Sequence, residues 1–574
     1  MDQTFFALSR DNAALLTELN LCFPPGAFED VSSHRFDWQR GEFCAFLVQQ
    51  FTSTSVVRLI FGRDVFGRKS LCWRVISRQL PNGNTTFCPE GCAIDENGDD
   101  GGGGTFQLSV LPGRLSDGEN DDTDGWEEVP PGNIILLTLP PFSTLKTVPN
   151  AKTIPSTTTL LDLHCHLPSM NAFLSQTLCV HTFYPHDYVN ENCLFKTFKG
   201  STFTTATGAE HILLGTSEIG TTVTDLQDNA QISAATEEFV SRFASAVQGI
   251  LLYVPRLVDS AKGDDLNSGF DVSVLFSGGV DSLMVALMAG EVLFQRPSGA
   301  MLSTKHGESG EQQLQQRWAI RLFSVAFGDN EKDFNEATDR AQSIAAYEYL
   351  KSRSVQKYGF NAFTLVLVNV DRDELIECRH RHIAEAIAPS KTASILILDK
   401  KCNIDKTPFA LVGSGSDEQL GGYARHQTVF KSKGLQGLAT ELSMEMHRIG
   451  ARNFGRDDRI GTANGKSILA PFLEEPFVRW LNTLPTALKT GFGLPNGAPN
   501  KFLLRNALRF LGVPEYFVQR PKRAMQFGTR MVKMEAIESG GAKLKGHQMC
   551  KKLLPRNGSA NANDGEGRVM PLSD

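Results

Sequence analysis

One short stretch constrains the fold of this chain more than any other. The apolar run 271–276 is predicted to be a strand, Ser277-Gly278-Gly279-Val280-Asp281-Ser282 follows it directly, and the apolar run to residue 294 is predicted to be a helix. A strand that passes into a helix through two glycines is an anion cradle. Glycine lets the backbone approach a phosphate, and the N–H groups and dipole at the helix start favour negative charge. Ser277 and Ser282 add hydroxyl donors, and Asp281 suits a Mg²⁺ ion that bridges phosphates. The loop holds no lysine, unlike the P-loop of kinases and GTPases.

Strand-like and helix-like runs then alternate over 321–327, 336–353, 362–370, 374–388 and 409–415. Apolar runs without period-two alternation, separated by helices, indicate a parallel sheet buried on both faces, and the expected fold is α/β with a doubly wound parallel sheet. Residues 235–258 read as an amphipathic helix and 434–540 as mostly helical. Upstream, 41–73 and 126–142 read as a β-rich segment. The expected organisation is a β-rich domain over 1–142, a Ser/Thr-rich linker or insertion of low order over 143–233, the α/β domain over 234–540, and a disordered polar tail over 541–574.

With 574 residues, at least two domains are expected. Hydrophobic residues at 41% and charged residues at 21% are normal for a soluble globular protein. The net charge of -7 is misleading: nine acids and one base, Arg114, fall between Asp95 and Asp124, in a Gly-rich insert over 93–125. Outside that solvated insert the chain is near neutral, so no nucleic-acid partner is expected. No apolar run approaches the roughly 18 residues of a membrane helix, and the N-terminus has no signal-peptide pattern. Eleven thinly spread cysteines fit a reducing compartment, and a cytoplasmic location is expected. Cys88-x₃-Cys92 and His164-Cys165-His166 have no second pair at zinc spacing. His380 and His382, among arginines on a predicted helix, are expected to be solvated.

A second loop of small residues follows the strand at 408–412: Gly413-Ser414-Gly415-Ser416-Asp417-Glu418-Gln419-Leu420-Gly421-Gly422-Tyr423. Ligands bind at the carboxyl edge of open α/β sheets, so Asp417 is a candidate second Mg²⁺ ligand facing Asp281. Gly461-Thr462-Ala463-Asn464-Gly465-Lys466-Ser467 imitates a phosphate loop but has one residue too few between its glycines, and is expected to be a polar turn.

Ser277–Ser282 resembles the pyrophosphate loop of ATP pyrophosphatases, and with Gly413–Tyr423 it resembles the synthetase domain of the asparagine synthetase family. Ala470-Pro471-Phe472-Leu473-Glu474 and Arg520-Pro521-Lys522-Arg523-Ala524 resemble further motifs of that family. Phe61–Leu71 resembles a segment of its class II glutamine amidotransferase domain. Residues 415–426, 451–459 and 520–528 resemble in particular the branch of asparagine synthetase domain-containing proteins. The resemblance implies an ATP pyrophosphatase (adenine nucleotide alpha hydrolase-like) fold, with an incomplete β-rich glutaminase-like (Ntn hydrolase-type) domain before it. It implies ATP and Mg²⁺, adenylation of an aspartate side chain and displacement of AMP by ammonia. It places Leu275 and Val325 at the adenine, Val412 and Gly413 at the nucleotide, Ser277, Gly278, Gly279, Val280, Asp281 and Ser282 at the phosphates, Asp281 and Asp417 at Mg²⁺, and Lys522 as the catalytic lysine. Aspartate, glutamine or ammonia are the implied small-molecule partners, with a homodimer as the expected assembly.

The sequence departs from the pattern in three places. The class II amidotransferase nucleophile is an N-terminal cysteine whose own amine acts as base, whereas this chain opens Met1-Asp2-Gln3 and Cys22 and Cys44 are internal. Asp2 is matched to the family's glutamine-binding acid. Ser414 stands where the family has a Glu serving the aspartate or ammonia step, and a hydroxyl cannot replace a carboxylate there. Residues 393–399 are β-like where an acidic helix is expected. Two readings follow: an ATP-dependent amidotransferase that forms asparagine, AMP and pyrophosphate, or a non-catalytic nucleotide-binding or scaffold relative. A tRNA-modifying pyrophosphatase is disfavoured by the missing basic patch.

Overall fold

The computed structural model describes residues 2–9, 43–51, 56–64, 68, 71–77, 104–109, 127–128, 133–139, 144–149, 161–167, 179–182, 201–204, 210–213, 230–259, 271–294, 319–375, 409–452, 454–463, 466–494, 500–521, 525–531 and 533–534. The Cys88/Cys92 pair, His380, His382, Lys522, the run 393–399 and the tail lie outside them.

Residues 2–182 contribute β1 (Asp2–Ser9), β2 (Phe43–Phe51), β3 (Val56–Arg63), β4 (Cys72–Ser77), β5 (Gly104–Ser109), β6 (Glu127–Glu128), β7 (Asn133–Leu139), β8 (Thr144–Pro149), β9 (Leu161–Leu167) and β10 (Cys179–Thr182). They form two antiparallel five-stranded sheets, ordered β1-β2-β3-β7-β10 and β6-β4-β5-β9-β8. β11 (Ser201–Thr204) and β12 (Glu210–Leu213) pair separately. Residues 143–233, expected as a linker or insertion of low order, therefore contain five strands, and β5 falls within the acidic insert. The Thr-rich composition that hides helical or alternating patterning is also β-favouring, and cross-strand pairing supplies what local periodicity lacks.

The second half is α/β. β13 (Asp271–Leu275), β14 (Ala319–Phe327), β15 (Phe363–Val370), β16 (Phe409–Leu411) and β17 (Ser467–Leu469) form one parallel sheet ordered β15-β14-β13-β16-β17. The chain runs outward on one side of β13, then returns to build the other side. The loops after β13 and β16 therefore leave neighbouring strands in opposite directions at the carboxyl edge, the place where open α/β sheets bind ligands.

The helix Val280–Phe294 is buried from Val280 to Glu291 apart from Asp281, which is why it is apolar all round. The helix Ala230–Asp259 lays Phe239 and Phe243 against Phe472, Phe477 and Trp480, with ring centroids 4.4 Å apart for Phe243–Phe472 and 5.2 Å for Phe239–Phe477. These contacts tie that helix to the segment after β17 and close one face of the sheet.

The β-rich part is joined to the α/β part by two buried arginines. Arg63, at the end of β3, donates from Nη2 to the Gly450 carbonyl at 3.0 Å. Arg68 is held by Asp64 (Nε to Oδ1, 3.1 Å) and reaches the Leu473 carbonyl at 3.1 Å, Glu474 at 3.4 Å and Glu475 at 3.3 Å. The segment resembling an amidotransferase motif thus also serves as a clasp on Pro471–Leu473 and the helix Glu475–Thr483.

Of the stretch 461–467, expected as a polar turn, residues 461–463 end the helix Phe454–Ala463 and Ser467 opens β17. Helix precedes strand there, the reverse of a phosphate loop. No helix among the described residues is long and apolar enough to cross a membrane.

Candidate functional site

The first loop forms because β13 ends in a parallel ladder that carries one residue further: the Phe276 N–H donates to the Phe323 carbonyl at 2.8 Å. Gly278 then takes φ +73°, and a Cβ there would stand 2.5 Å from the backbone carbonyl of Gln342. No other residue fits both demands. The two serines close the turn: Ser277 and Ser282 hydroxyls lie 3.3 Å apart, the Ser282 hydroxyl donates to the Gly279 carbonyl at 3.3 Å, and the Gly279 N–H donates to Ser277 Oγ at 3.3 Å. The helix begins at Val280 with Asp281 in its first turn, where a helix carries N–H groups with no intrahelical acceptor.

The second loop arrives from β16, whose Leu411 pairs with Val274 of β13. Val412 continues the ladder by donating to the Leu469 carbonyl at 3.0 Å. A Cβ on Gly413 would stand 2.9 Å from Asp281 Cβ, so this strand end touches the first loop. The short helix Ser416–Leu420 follows, anchored by Gln419, whose Nε2 donates to the carbonyls of Gly415 (2.9 Å) and Phe472 (2.7 Å). Ser416 Oγ donates to Asp281 Oδ1 at 2.7 Å.

A third element was not anticipated. Lys501 is fully buried with φ +58°, just before the helix Phe502–Phe510. Its Nζ lies 2.6 and 2.7 Å from the two oxygens of Asp281 and 2.6 Å from Asp417 Oδ1. Both aspartates therefore present carboxylate oxygens to one positive charge. Gly422 makes room: a Cβ there would stand 1.8 Å from Asp417 Oδ1 and 2.2 Å from Lys501 Cε. The sequence did hold a signal, since a lysine at a helix start opposes the helix dipole and calls for a local partner.

Around this centre the groups are buried and ordered. Tyr423 donates its hydroxyl to Glu418 Oε1 at 2.5 Å, and burial followed by the charges of Glu418 and Asp417 pushes its phenol far above the ordinary range. His426 is fully buried, and burial followed by Arg425 lowers it to about 4, so it is neutral near pH 7. His426, Glu441 and Glu445 place ligand-type atoms within 4.8 Å of one another, but Glu445 already takes Arg425 and Arg448 in ion pairs. Arg520 stacks on Tyr516 and Phe517 and donates from Nη1 to the carbonyls of Gly278 (2.9 Å) and Gln342 (3.1 Å). It docks the chain on the first loop two residues before Lys522.

The structure thus brings together Leu275, Ser277, Gly278, Gly279, Val280, Asp281, Ser282, Val412, Gly413, Ser414 and Asp417 at the carboxyl ends of β13 and β16. Val325 lies on the adjacent β14, two residues past the partner of Leu275. Asp2 opens β1 opposite Gln50, and its side chain, like all of Lys522, lies outside the described residues. Lys501 is the member sequence reasoning missed, while Ser416, Gly422 and Arg520 lie in the quoted motifs without a role assigned to them. The donor set at Asp281 and Asp417 fits Mg²⁺, a hard cation that takes carboxylate oxygens, provided Lys501 yields them.

Comparison with known proteins finds relatives of this chain. The asparagine synthase family model matches residues 254–439 and 430–539. Asparagine synthetase domain-containing protein 1 of Homo sapiens is 32% identical over 338 residues, 52% of this chain and 52% of that protein. Its Bos taurus counterpart is 27% identical over 537 residues, 86% of this chain and 78% of that protein. A putative asparagine synthetase [glutamine-hydrolyzing] 1 of Methanocaldococcus jannaschii is 30% identical over 168 residues, 24% of this chain and 31% of that protein. The match to the human relative spans about half its length. The matched range begins in the helix Ala230–Asp259 and takes in both loops, Lys501 and Arg520, and through this half the chain belongs to the asparagine synthetase family.

Proposed function

We propose that the chain is an ATP-dependent amide-forming ligase that adenylates a carboxylate, with the aspartate side chain as the first candidate. The observation that carries this reading is the convergence of Asp281, Asp417, Ser416 and Lys501 beside a strand–Gly-Gly–helix turn. The turn would bind the β- and γ-phosphates through Ser277, Ser282 and the N–H groups of the helix start. Leu275, Val325, Val412 and Gly413 would line the nucleoside. Asp281 and Asp417 would hold Mg²⁺, which supplies charge neutralisation across the phosphates. Lys501, once released from those carboxylates, and Lys522 would offset charge on the leaving pyrophosphate.

In the reaction so read, an aspartate side-chain oxygen bonds to the α-phosphorus while the bond to the α–β bridging oxygen breaks and pyrophosphate leaves. The nitrogen of ammonia then bonds to the acyl carbon, the C–O bond to AMP breaks, and the nitrogen gives up one proton. A doubly wound nucleotide-binding half and a glutaminase-type β-rich half, with glutamine at Asp2, belong to the same reading.

ATP–pyrophosphate exchange on the full chain with aspartate, Mg²⁺ and ammonium, beside Asp281→Ala, tests the proposal. Exchange that requires aspartate and disappears in the variant is the expected result. Mg-ATP binding without exchange would overturn the assignment of aspartate and leave a different acceptor or a nucleotide-binding scaffold, the role that Ser414 favours.

A further inference from the structure

We infer that Arg520 is the positioning residue of the proposed phosphate loop: it fixes the peptide between Gly278 and Gly279 so that the Gly279 N–H faces the serine side of the turn. The inference rests on the nucleotide-binding part of the reading above. It holds whichever carboxylate is adenylated.

The two glycines create the need for such a residue. Glycine takes either hand of φ at little cost, so a peptide flanked by two glycines can turn over without a steric penalty. Gly278 stands at φ +73°, and the described peptide bonds are all trans. In a trans peptide the carbonyl and the following N–H point in opposite directions. A group that holds the Gly278 carbonyl on one side therefore sends the Gly279 N–H to the other. Arg520 is that group. Its Nη1 donates to the Gly278 carbonyl at 2.9 Å and to the Gln342 carbonyl at 3.1 Å, which ties the loop to the helix Thr338–Tyr358. On the far side the Gly279 N–H meets Ser277 Oγ at 3.3 Å, and Ser277 Oγ lies 3.3 Å from Ser282 Oγ. These are the donors that the loop would present to phosphate. The guanidinium stands behind the loop, so it acts on a bound phosphate through the peptide and not by touching it.

Arg520 is itself held in place. It is 7% exposed, and its guanidinium carbon lies 4.8 Å from the Tyr516 ring centre and 4.5 Å from that of Phe517. Arg505, fully buried, donates from Nη1 to the carbonyls of Val518 and Arg520, the latter at 3.1 Å, and from Nε to the Asn500 carbonyl at 2.7 Å. Arg505 lies on the helix Phe502–Phe510, which begins beside Lys501. One helix thus sets both the ammonium between the two aspartates and the backbone that aims Arg520 at the loop. A lysine at 520 would keep the charge but has neither the planar face that stacks on rings nor the fixed donor geometry.

Calorimetry on the full chain measures affinity for Mg–AMP-CPP, which carries the β- and γ-phosphates, and for AMP, which lacks them. Arg520→Lys is expected to weaken AMP-CPP about tenfold, the worth of one hydrogen bond to a charged group, with AMP within about twofold of the parent. Tyr516 is 70% exposed, so Tyr516→Ala removes a stacking partner of Arg520 without opening the core. It is expected to weaken AMP-CPP about threefold and again to spare AMP. In R520K/Y516A that second effect is expected to vanish, because Tyr516 acts through the guanidinium, an outcome that a general loss of stability does not produce.

Unchanged AMP-CPP affinity in R520K, an equal loss for AMP, or a Tyr516→Ala effect that persists undiminished in the double variant would overturn the inference while nucleotide binding stands. Should Arg520→Lys lower the urea midpoint, Tyr516→Ala decides alone, and the absence of a selective AMP-CPP loss there overturns the inference. A parent chain that binds neither nucleotide removes the nucleotide-binding reading and this inference with it.

Discussion

Replacing Lys501 with methionine isolates the electrostatic centre of the site. Methionine keeps most of the volume, and both residues bear the same strain at φ +58°, so the change is largely the loss of one ammonium group. Lys501 is fully buried, and the side chains of Asp281 and Asp417 are only 16% and 12% exposed. Removing the cation leaves two poorly solvated carboxylates facing each other. Breaking a buried ion pair by deleting one partner costs about 3–5 kcal/mol, and K501M is expected to lose that much. Urea unfolding followed by tryptophan fluorescence reads it, with Trp480 in the core as one reporter. Mg²⁺ is expected to return part of the loss, about 1.4 kcal/mol at ten times its dissociation constant, and to stabilise K501M more than the parent. A loss below about 1 kcal/mol would show that the aspartates do not depend on Lys501. A full loss without preferential Mg²⁺ rescue would show that their oxygens do not converge on a shared cation position.

Gly422→Ala is expected to cost about 1–3 kcal/mol by overpacking against Asp417 and Lys501, whereas Gly249→Ala, in a helix with nothing within 4 Å of the new Cβ, is expected to stabilise by about 0.5–1 kcal/mol in the same urea assay. Arg68→Met is expected to cost about 3–5 kcal/mol, because Asp64, Glu474 and Glu475 lose a common buried partner. Arg68→Lys is expected to recover less than half of that, since an ammonium cannot span three carboxylates as a planar fork does. His426 carries a pH signature. Its folded value of about 4 lies below the ordinary 6.5, so the unfolded chain binds the extra proton. Its contribution is therefore complete above about pH 6.5 and is lost as pH falls towards 4, at most about 3 kcal/mol. Denaturant midpoints at pH 7 and pH 5 measure it, and a His426→Asn variant that keeps the full pH slope would refute the assignment.

Much of the α/β half was legible because its information is local. A strand, two glycines and a helix form a contiguous signal, and strands buried on both faces announce themselves as apolar runs without alternation. The candidate residues of the two loops were therefore named from adjacent letters. The β-rich half was harder. β9 and β10 pair with β5 and β7, far along the chain, and the Thr-rich segments of β8 to β12 carry no period that separates strand from loop.

The amino-acid sequence by itself determined the strand–Gly-Gly–helix turn, the parallel sheet and the membership of both loops, since each follows from side-chain size and polarity over a few consecutive residues. Only the tertiary structure decided that Lys501 lies between Asp281 and Asp417, that Asp457 stands against Ser414, and that Arg68 clasps Glu474 and Glu475. These pairs are separated by tens to hundreds of residues. A buried charge must find a partner wherever the packed chain supplies one, and that choice is made by proximity in three dimensions rather than by spacing along the chain.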